Sequence, residues 1–576
     1  MECREIPFKH YDKITDSLIH TVEIHPDLPF LRRREGETFK TYTYQAVLDR
    51  VRRIGGYLKQ QGLVAEERAA VLGNNCPEWI FCYLGILWAG GVVVPLDARA
   101  TVTEWAHLMN HSGCKFLFAA PEPCGEIEKQ REAIPSLQKV IAFSGEKGDS
   151  NLPFIFQGYE GLMEPQTRER GNLAAILYTS GTTGACKGVM LTHGNLLANV
   201  EQCIGAFDMD ETDRFLSVLP IHHAFESTGG LLSPMAAGAS VTIARSLKSR
   251  ELLEDLRDVR PTVFLLVPLF LEKFHQGIER DLRKTSSSKK ALFRLLKAGA
   301  KICNPLTSGA ASKKFFRPIR SAMGLDKLRI LVSGGAPLPR PLSRAYEMFG
   351  FPVCQGYGLS ETAPVLSVNV PGRCRNKSVG PPLSGVEVRI LDPDPEGVGE
   401  IAVKGPNVMK GYYRNEQATR QSFFEDWFFT GDLGKMDKDG YLYVTGRKKS
   451  LIVTRGGKKI SPEEIEEELS KSPFIRETVV VARYHPRTRV EEIHAIIHPD
   501  IEALDRYGKE KGITISDRVI QELVGQHVNQ VNSMLSEYKR IRDFSVREEE
   551  FPKTTSQKIK RYLFEEGGTE NGSSEI

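Results

Sequence analysis

From about Thr41 to Gly350, short runs rich in Val, Ile and Leu alternate with longer helical patterns, and this alternation is the tightest constraint on the fold. "AAVLGNN", "GGVVVPLD", "KFLFAA", "VTIARS" and "LRILVSGG" are the clearest strands. Strand–helix alternation implies an α/β class, with parallel-rich sheets covered by helices. At 576 residues the chain exceeds one ordinary core, so two or more domains are expected. One segment, Trp79 to Leu96, is uncharged and long enough to span a bilayer. Gly90, Gly91 and Pro95 break it, and it reads as a buried helix followed by a buried strand, with no transmembrane span.

The texture changes from Arg447 onward. In "GRKKSLIVTRGGKKISPEEIEEELSKS", Ser461 reads as an N-cap, Pro462 as the first helical residue, and Glu464 as completing a capping box. Strands at "ETVVVAR" and "EEIHAIIHP" and a long helical pattern from Ser516 follow, which reads as a small, separate α+β domain. The expected division is a large N-terminal domain over 1–446, a small domain over 447–565, and a disordered tail over 566–576. Between Glu279 and Lys327, thirteen Lys or Arg stand against three acids. "KTSSSKK" and "SGAASKKFFRPIR" read as loop or weak helix in a solvated insertion; the alternative is a patch for peripheral contact with an anionic membrane or a polyanion. Net charge is only +4, so no global basic field argues for nucleic acid. Ten cysteines, none in a C-x-x-C pair, fit free thiols in a reducing cytoplasm.

"LYTSGTTGACKGVMLTHGN", Leu177 to Asn195, carries the sharpest chemical signal. Small residues let successive backbone N–H groups converge as a nest around a phosphate, hydroxyls add donors, and Lys187 adds a positive charge. A structural turn is the local alternative. A Walker A loop is excluded, because Ala185 and Cys186 separate Gly184 from Lys187.

"YTSGTTGACKG" resembles the phosphate loop of the adenylate-forming superfamily, with Cys186 where proline usually precedes the lysine. "LPIHHAFE", "SGGAPLP", "GYGLSET", "TGD" at Thr430 to Asp432, "GRKKSLIVTRGGKKISPEEIE" and "PKTTSQKIKR" resemble its further motifs, in its order, from about Thr41 to Arg561. The resemblance implies a two-step reaction using ATP, Mg²⁺ and coenzyme A, in which a carboxylate attacks the α-phosphate and a thiol then displaces AMP. Thr179, Ser180, Gly181, Thr182, Thr183, Gly184 and Lys187 are implied around the phosphates. Tyr357 is implied to stack on adenine, with Gly335 and Ala336 on the other side of the slot and Gln355, Gly356 and Gly358 around it. Ser360 is implied at the α-phosphate, Glu361 and Thr179 at Mg²⁺, Asp432 at the ribose hydroxyls, and Arg447 near ribose or phosphate.

The resemblance further assigns His223 to positioning the substrate carboxylate, with the role of His222 open, and Lys558 to bridging that carboxylate and the α-phosphate. Gln557 precedes Lys558 where the family usually has glycine. Lys449 falls at the hinge about which the small domain turns between half-reactions, Gly456 lines the pantetheine tunnel, and Lys458 and Lys459 lie near its mouth. The segment between "PTVFLLVP" and "LRILVSGGAPL" and the H-x-x-E form of His223 to Glu226 resemble long-chain fatty acyl-CoA synthetases. Alternatives are an acyl-AMP ligase, an acyl–acyl-carrier-protein synthetase, or a ligase for another acid. A cytoplasmic enzyme follows, with the basic 280–327 region as the candidate contact to the inner membrane surface.

Overall fold

The computed structural model describes residues 11–145, 150–180, 186–284, 286–307, 310–351, 353–453, 459–484, 491–553 and 559–564. Two large sheets dominate these residues. In one, the strands Lys139–Ala142, Cys114–Ala119, Arg68–Leu72, Val92–Leu96 and Leu173–Ser180 run parallel, and Cys186–Thr192 and Gly411–Tyr412 add antiparallel at one edge. In the other, Pro29–Glu35, Ser240–Ile243, Arg214–Ser217, Val263–Leu266, Ile330–Ser333 and Val353–Gly358 run parallel, with Thr38–Thr43 and Val365–Val368 antiparallel at the two edges. Each of the five strands read from the sequence lies in one of these parallel arrays. The hairpin Pro29–Thr43 went unseen in the sequence, because "RRRE" and "TFKT" place charge where an apolar run was sought.

A third sheet, Glu387–Leu391, Gly399–Lys404, Trp427–Met436, Phe423–Phe424 and Leu442–Arg447, is antiparallel throughout and was not anticipated. Beyond it, Ile475–Tyr484 and Glu491–Pro499 pair antiparallel, and Asp543–Val546 joins parallel. The helices Pro462–Leu469 and Asp517–Met534 cover this small sheet. Ile460, Ile465, Leu469, Val480, Ile497 and Val528 form its own core, distinct from the core shared by the two large sheets.

The apolar stretch Trp79–Leu96 is a helix, Pro77–Trp88, and the strand Val92–Leu96, both buried in the protein. Among the described residues no helix is long and apolar enough to cross a membrane. Two glycines set how closely this helix meets Tyr44–Gln60. A Cβ on Gly85 would lie 2.5 Å from Ile54 Cγ2, and one on Gly55 would lie 2.7 Å from Trp88 Cδ1. The contact to Ile54 involves its stiff β-branched stem, which cannot swing aside. Gly85→Ala is therefore expected to destabilise the fold by about 1–2 kcal/mol, overpacking outweighing the helical preference for Ala, read as a lowered urea midpoint.

Two local expectations are corrected. Ser461 is the N-cap of Pro462–Leu469 and Pro462 opens the helix, but the capping box is not made. The Ser461 hydroxyl reaches the Thr445 carbonyl (2.9 Å) and Glu463 Oε2 (2.8 Å), and Glu464 binds Lys539 Nζ at 2.8 Å. Of the two readings of the basic stretch, loop or weak helix, the loop alternative falls: the described residues are helical over Pro268–Lys284, Ser287–Thr307, Ala310–Phe315 and Arg317–Ala322. Its helices gain an anchoring face from Phe293, whose ring lies 5.7 Å from Phe316, and from Phe316, 5.4 Å from Phe349. The tail 566–576 lies outside the described residues.

Candidate functional site

A cleft of about 3800 Å³ runs between the sheets and the small C-terminal unit, and most of the residues singled out above line it. Leu173–Ser180 and Cys186–Thr192 pair with Thr179 opposite Lys187 and Ser180 opposite Cys186, so the Gly/Thr loop joins the ends of two paired strands. Gly181, Thr182, Thr183 and Gly184 lie outside the described residues, as do Gly456, Lys458 and Lys558. Thr179 and Lys187 face the cleft. The Lys187 ammonium sits 4.6 Å from the centre of the Tyr412 ring, and Tyr412 Oη donates to Glu361 Oε1 at 2.9 Å. The loop lysine and the candidate metal carboxylate are thus joined through one tyrosine. Sequence reasoning missed Tyr412; its only signal was the "GYY" turn after Lys410, which carries no spacing of its own.

The second constellation centres on Asp432. Its strand, Trp427–Met436, continues through the site rather than ending before it, with Gly431 at φ +70°. Tyr357 Oη donates to Asp432 Oδ2 at 2.7 Å, and Arg447 Nε lies 2.8 Å from Oδ1. Asp432 and Arg447 are cross-strand partners, which fixes the pair by register. Burial, then the Asp432 charge, pushes the Tyr357 phenol well above its ordinary range, so it stays a donor. Gly358 is obligatory beside it: a Cβ there would stand 1.8 Å from the Pro364 carbonyl oxygen. Gly335, at φ +81°, and Ala336 line the cleft together with Gln355, Gly356 and Ser360. Lys449 lies in the short helical turn Lys448–Ser450, at the edge where the small unit begins, and also lines the cleft.

His222 and His223 both face the cleft, their ring centres 4.2 Å apart. His222 Nε2 is 3.6 Å from Asp97 Oδ2, yet burial and the neighbouring His223 push its pKa down to about 3. It is a neutral imidazole at physiological pH. Among the described residues no group of three or more His, Cys, Asp or Glu is placed to cage a metal. Glu361, a carboxylate facing the cleft, is a donor of the kind Mg²⁺ takes beside phosphate oxygens and water, since this hard ion keeps much of its hydration shell.

Glu226 lies on the π-helical segment Phe225–Leu232 and is almost wholly buried. A Cβ on Gly230 would meet its carboxyl carbon at 2.7 Å, so the carboxyl is packed against a bare backbone. Burial raises its pKa from 4.5 to about 8, against a smaller lowering by the Ser217 hydroxyl. Between these limits the folded chain holds a proton that the unfolded chain releases. Stability therefore declines as pH rises from about 4.5 to about 8, by on the order of 4 kcal/mol, and this contribution is flat beyond. Glu226→Gln should remove that slope; melting curves of the two proteins that stay parallel from pH 5 to pH 8 would contradict it.

The family profile of AMP-binding enzymes matches residues 18–413, and that of the AMP-binding enzyme C-terminal domain matches 449–567. A long-chain-fatty-acid–CoA ligase of Mycobacterium bovis is 28% identical over 96% of this chain and 96% of its own. A chloroplastic long-chain-fatty-acid–[acyl-carrier-protein] ligase of Arabidopsis thaliana is 30% identical over 84% of this chain and 75% of its own. The o-succinylbenzoate CoA synthetase of Bacillus subtilis, in complex with its acyl-adenylate, superposes with a TM-score of 0.75 over 97% of this chain and 99% of that one, at 23% identity, a likeness of fold. With one family profile spanning well over half of its length and the second following in order, the chain belongs to the AMP-binding, adenylate-forming superfamily of acid–thiol ligases.

Proposed function

We propose that this chain activates a long-chain fatty acid to its acyl-adenylate and transfers the acyl group to coenzyme A. The observation that carries the reading is the lining of the cleft: the apolar side chains Phe207, Val218, Leu265, Phe270 and Phe274 line the same space as Tyr357 and Asp432. Each buried methylene contributes roughly 0.8 kcal/mol, which rewards a long chain against such a lining.

In the first step a carboxylate oxygen bonds to the α-phosphorus, and the bond to pyrophosphate breaks. Asp432 and Tyr357 hold ribose and adenine, Thr179 and Lys187 meet the phosphates with the Gly181–Gly184 backbone, and Ser360 contacts the α-phosphate. His223 orients the incoming carboxylate, and Lys558 bridges it to the α-phosphate. Glu361 and Thr179 would hold Mg²⁺, which would supply neutralisation of phosphate charge. In the second step the thiol sulfur bonds to the acyl carbonyl carbon, the bond to AMP breaks, and the thiol proton leaves. Rotation at Lys449 brings Gly456 to the thiol path between the steps.

The Arabidopsis relative, a ligase to acyl carrier protein, favours a second reading, in which a carrier-protein thiol replaces coenzyme A. The test measures pyrophosphate and AMP release with Mg-ATP across straight-chain acids of increasing length, with coenzyme A or with acyl carrier protein. Turnover that rises with chain length and requires coenzyme A is expected. Turnover only with the carrier protein selects the second reading, and a preference for short or aromatic acids contradicts the proposed substrate.

A further inference from the structure

The two most exposed large apolar side chains among the described residues, Leu295 (70%) and Ile302 (72%), lie on one helix, Ser287–Thr307, seven residues apart. Ala291 and Ala298, also exposed, share their stripe at i, i+4, i+7 and i+11. The opposite side of the helix is already partnered: Ala300 is fully buried, Leu296 packs on the core, and Phe293 packs against the aromatic rings of Phe316 and Phe349. This helix therefore has a second apolar stripe that nothing among the described residues covers.

Its charge is one-sided. The helix contains five basic residues, Lys289, Lys290, Arg294, Lys297 and Lys301, and no acid. Arg294 and Lys297 are exposed and follow one another along the flank of the stripe. A narrow apolar stripe bordered by cations suits an anionic bilayer, in which the stripe enters the headgroup boundary and the cations meet lipid phosphates. Phe270, Phe274 and Ile278 of the preceding helix, Pro268–Lys284, line the cleft.

We infer that Ser287–Thr307 is a docking helix that lays this chain on an anionic lipid surface through Leu295 and Ile302, with its basic flank on the lipid phosphates. Docking sets Pro268–Lys284, the helix whose apolar side chains line the cleft, next to the bilayer. Delivery of an acid by that route rests on the function proposed above; the docking itself does not.

The experiment is sedimentation of the full-length chain with vesicles of phosphatidylcholine alone or mixed with phosphatidylglycerol, without nucleotide or acid, so that it reads docking apart from ligation. Binding to the mixed vesicles, weakened by salt, and little binding to phosphatidylcholine alone are expected. Arg294→Gln with Lys297→Gln should weaken partitioning by about thirtyfold, and Leu295→Ser with Ile302→Ser should abolish it. Unchanged melting temperatures establish that both variants fold, and either single substitution serves if a pair does not. Equal partitioning onto both kinds of vesicle overturns the inference, as does binding indifferent to both pairs. A concentration-dependent dimer dissolved by Leu295→Ser with Ile302→Ser, in the absence of lipid binding, assigns the stripe to a second copy and overturns it too.

Discussion

Asp432→Ala should lower kcat/KM for ATP by at least about a hundredfold. A buried carboxylate accepting from two ribose hydroxyls makes two charge-assisted hydrogen bonds, each contributing roughly 1.5–3 kcal/mol. In the structure the same two oxygens already hold Tyr357 Oη and Arg447 Nε, so removing the carboxylate also releases the aromatic ring and the guanidinium that shape the slot. A graded series separates these contributions. Tyr357→Phe keeps the ring and loses one hydrogen bond, an effect of about tenfold or less. Asp432→Asn keeps an acceptor but loses the charge, and should fall between the two. ATP affinity measured by calorimetry should follow the same order. An Asp432→Ala protein that binds ATP like the parent would place the nucleotide elsewhere.

Lys558→Ala should slow formation of the acyl-adenylate by about 10²–10³, the usual cost of losing a preorganised charge aimed at a transition state. The argument joins the resemblance to the surroundings of the segment. Lys553 and Ile559 are bridged antiparallel, and Ile559 and Lys560 line the cleft, so the described residues on both sides of Lys558 lead to the site. With the small unit turning between half-reactions, as proposed, transfer from preformed acyl-adenylate to the thiol should stay within a few-fold of the parent. The two half-reactions are separable by single-turnover measurements. Equal losses in both would assign Lys558 a structural part instead.

Much of the architecture was legible because its strands are buried on both faces. Val92–Leu96 and Ile330–Ser333 read as unbroken apolar runs, which is how parallel strands covered by helices are written. The third sheet was illegible for the opposite reason: Glu387–Leu391 is half-exposed, and its "EVRIL" has no long apolar run to mark it. The basic segment stayed undecided through composition. Its charges left loop and weak helix both open, while the anchoring contacts of Phe293, Phe316 and Phe349 span more than fifty residues and have no local signature. Within the site, motifs named Tyr357, Asp432 and Arg447 individually, but only the fold shows that one carboxylate joins the other two. Tyr412 and the buried acid form of Glu226 depend wholly on tertiary placement, by a strand pair and a π-helical segment respectively.

The central claim is that a carboxylate oxygen attacks the α-phosphorus. A fatty acid labelled with ¹⁸O in its carboxylate, turned over with ATP and coenzyme A, tests it by the mass of the released AMP. Attack at the α-phosphorus followed by thiol displacement leaves one carboxylate oxygen on AMP, and that is the result expected. Unlabelled AMP, with the lost carboxylate oxygen found in pyrophosphate, orthophosphate or water instead, would contradict the account.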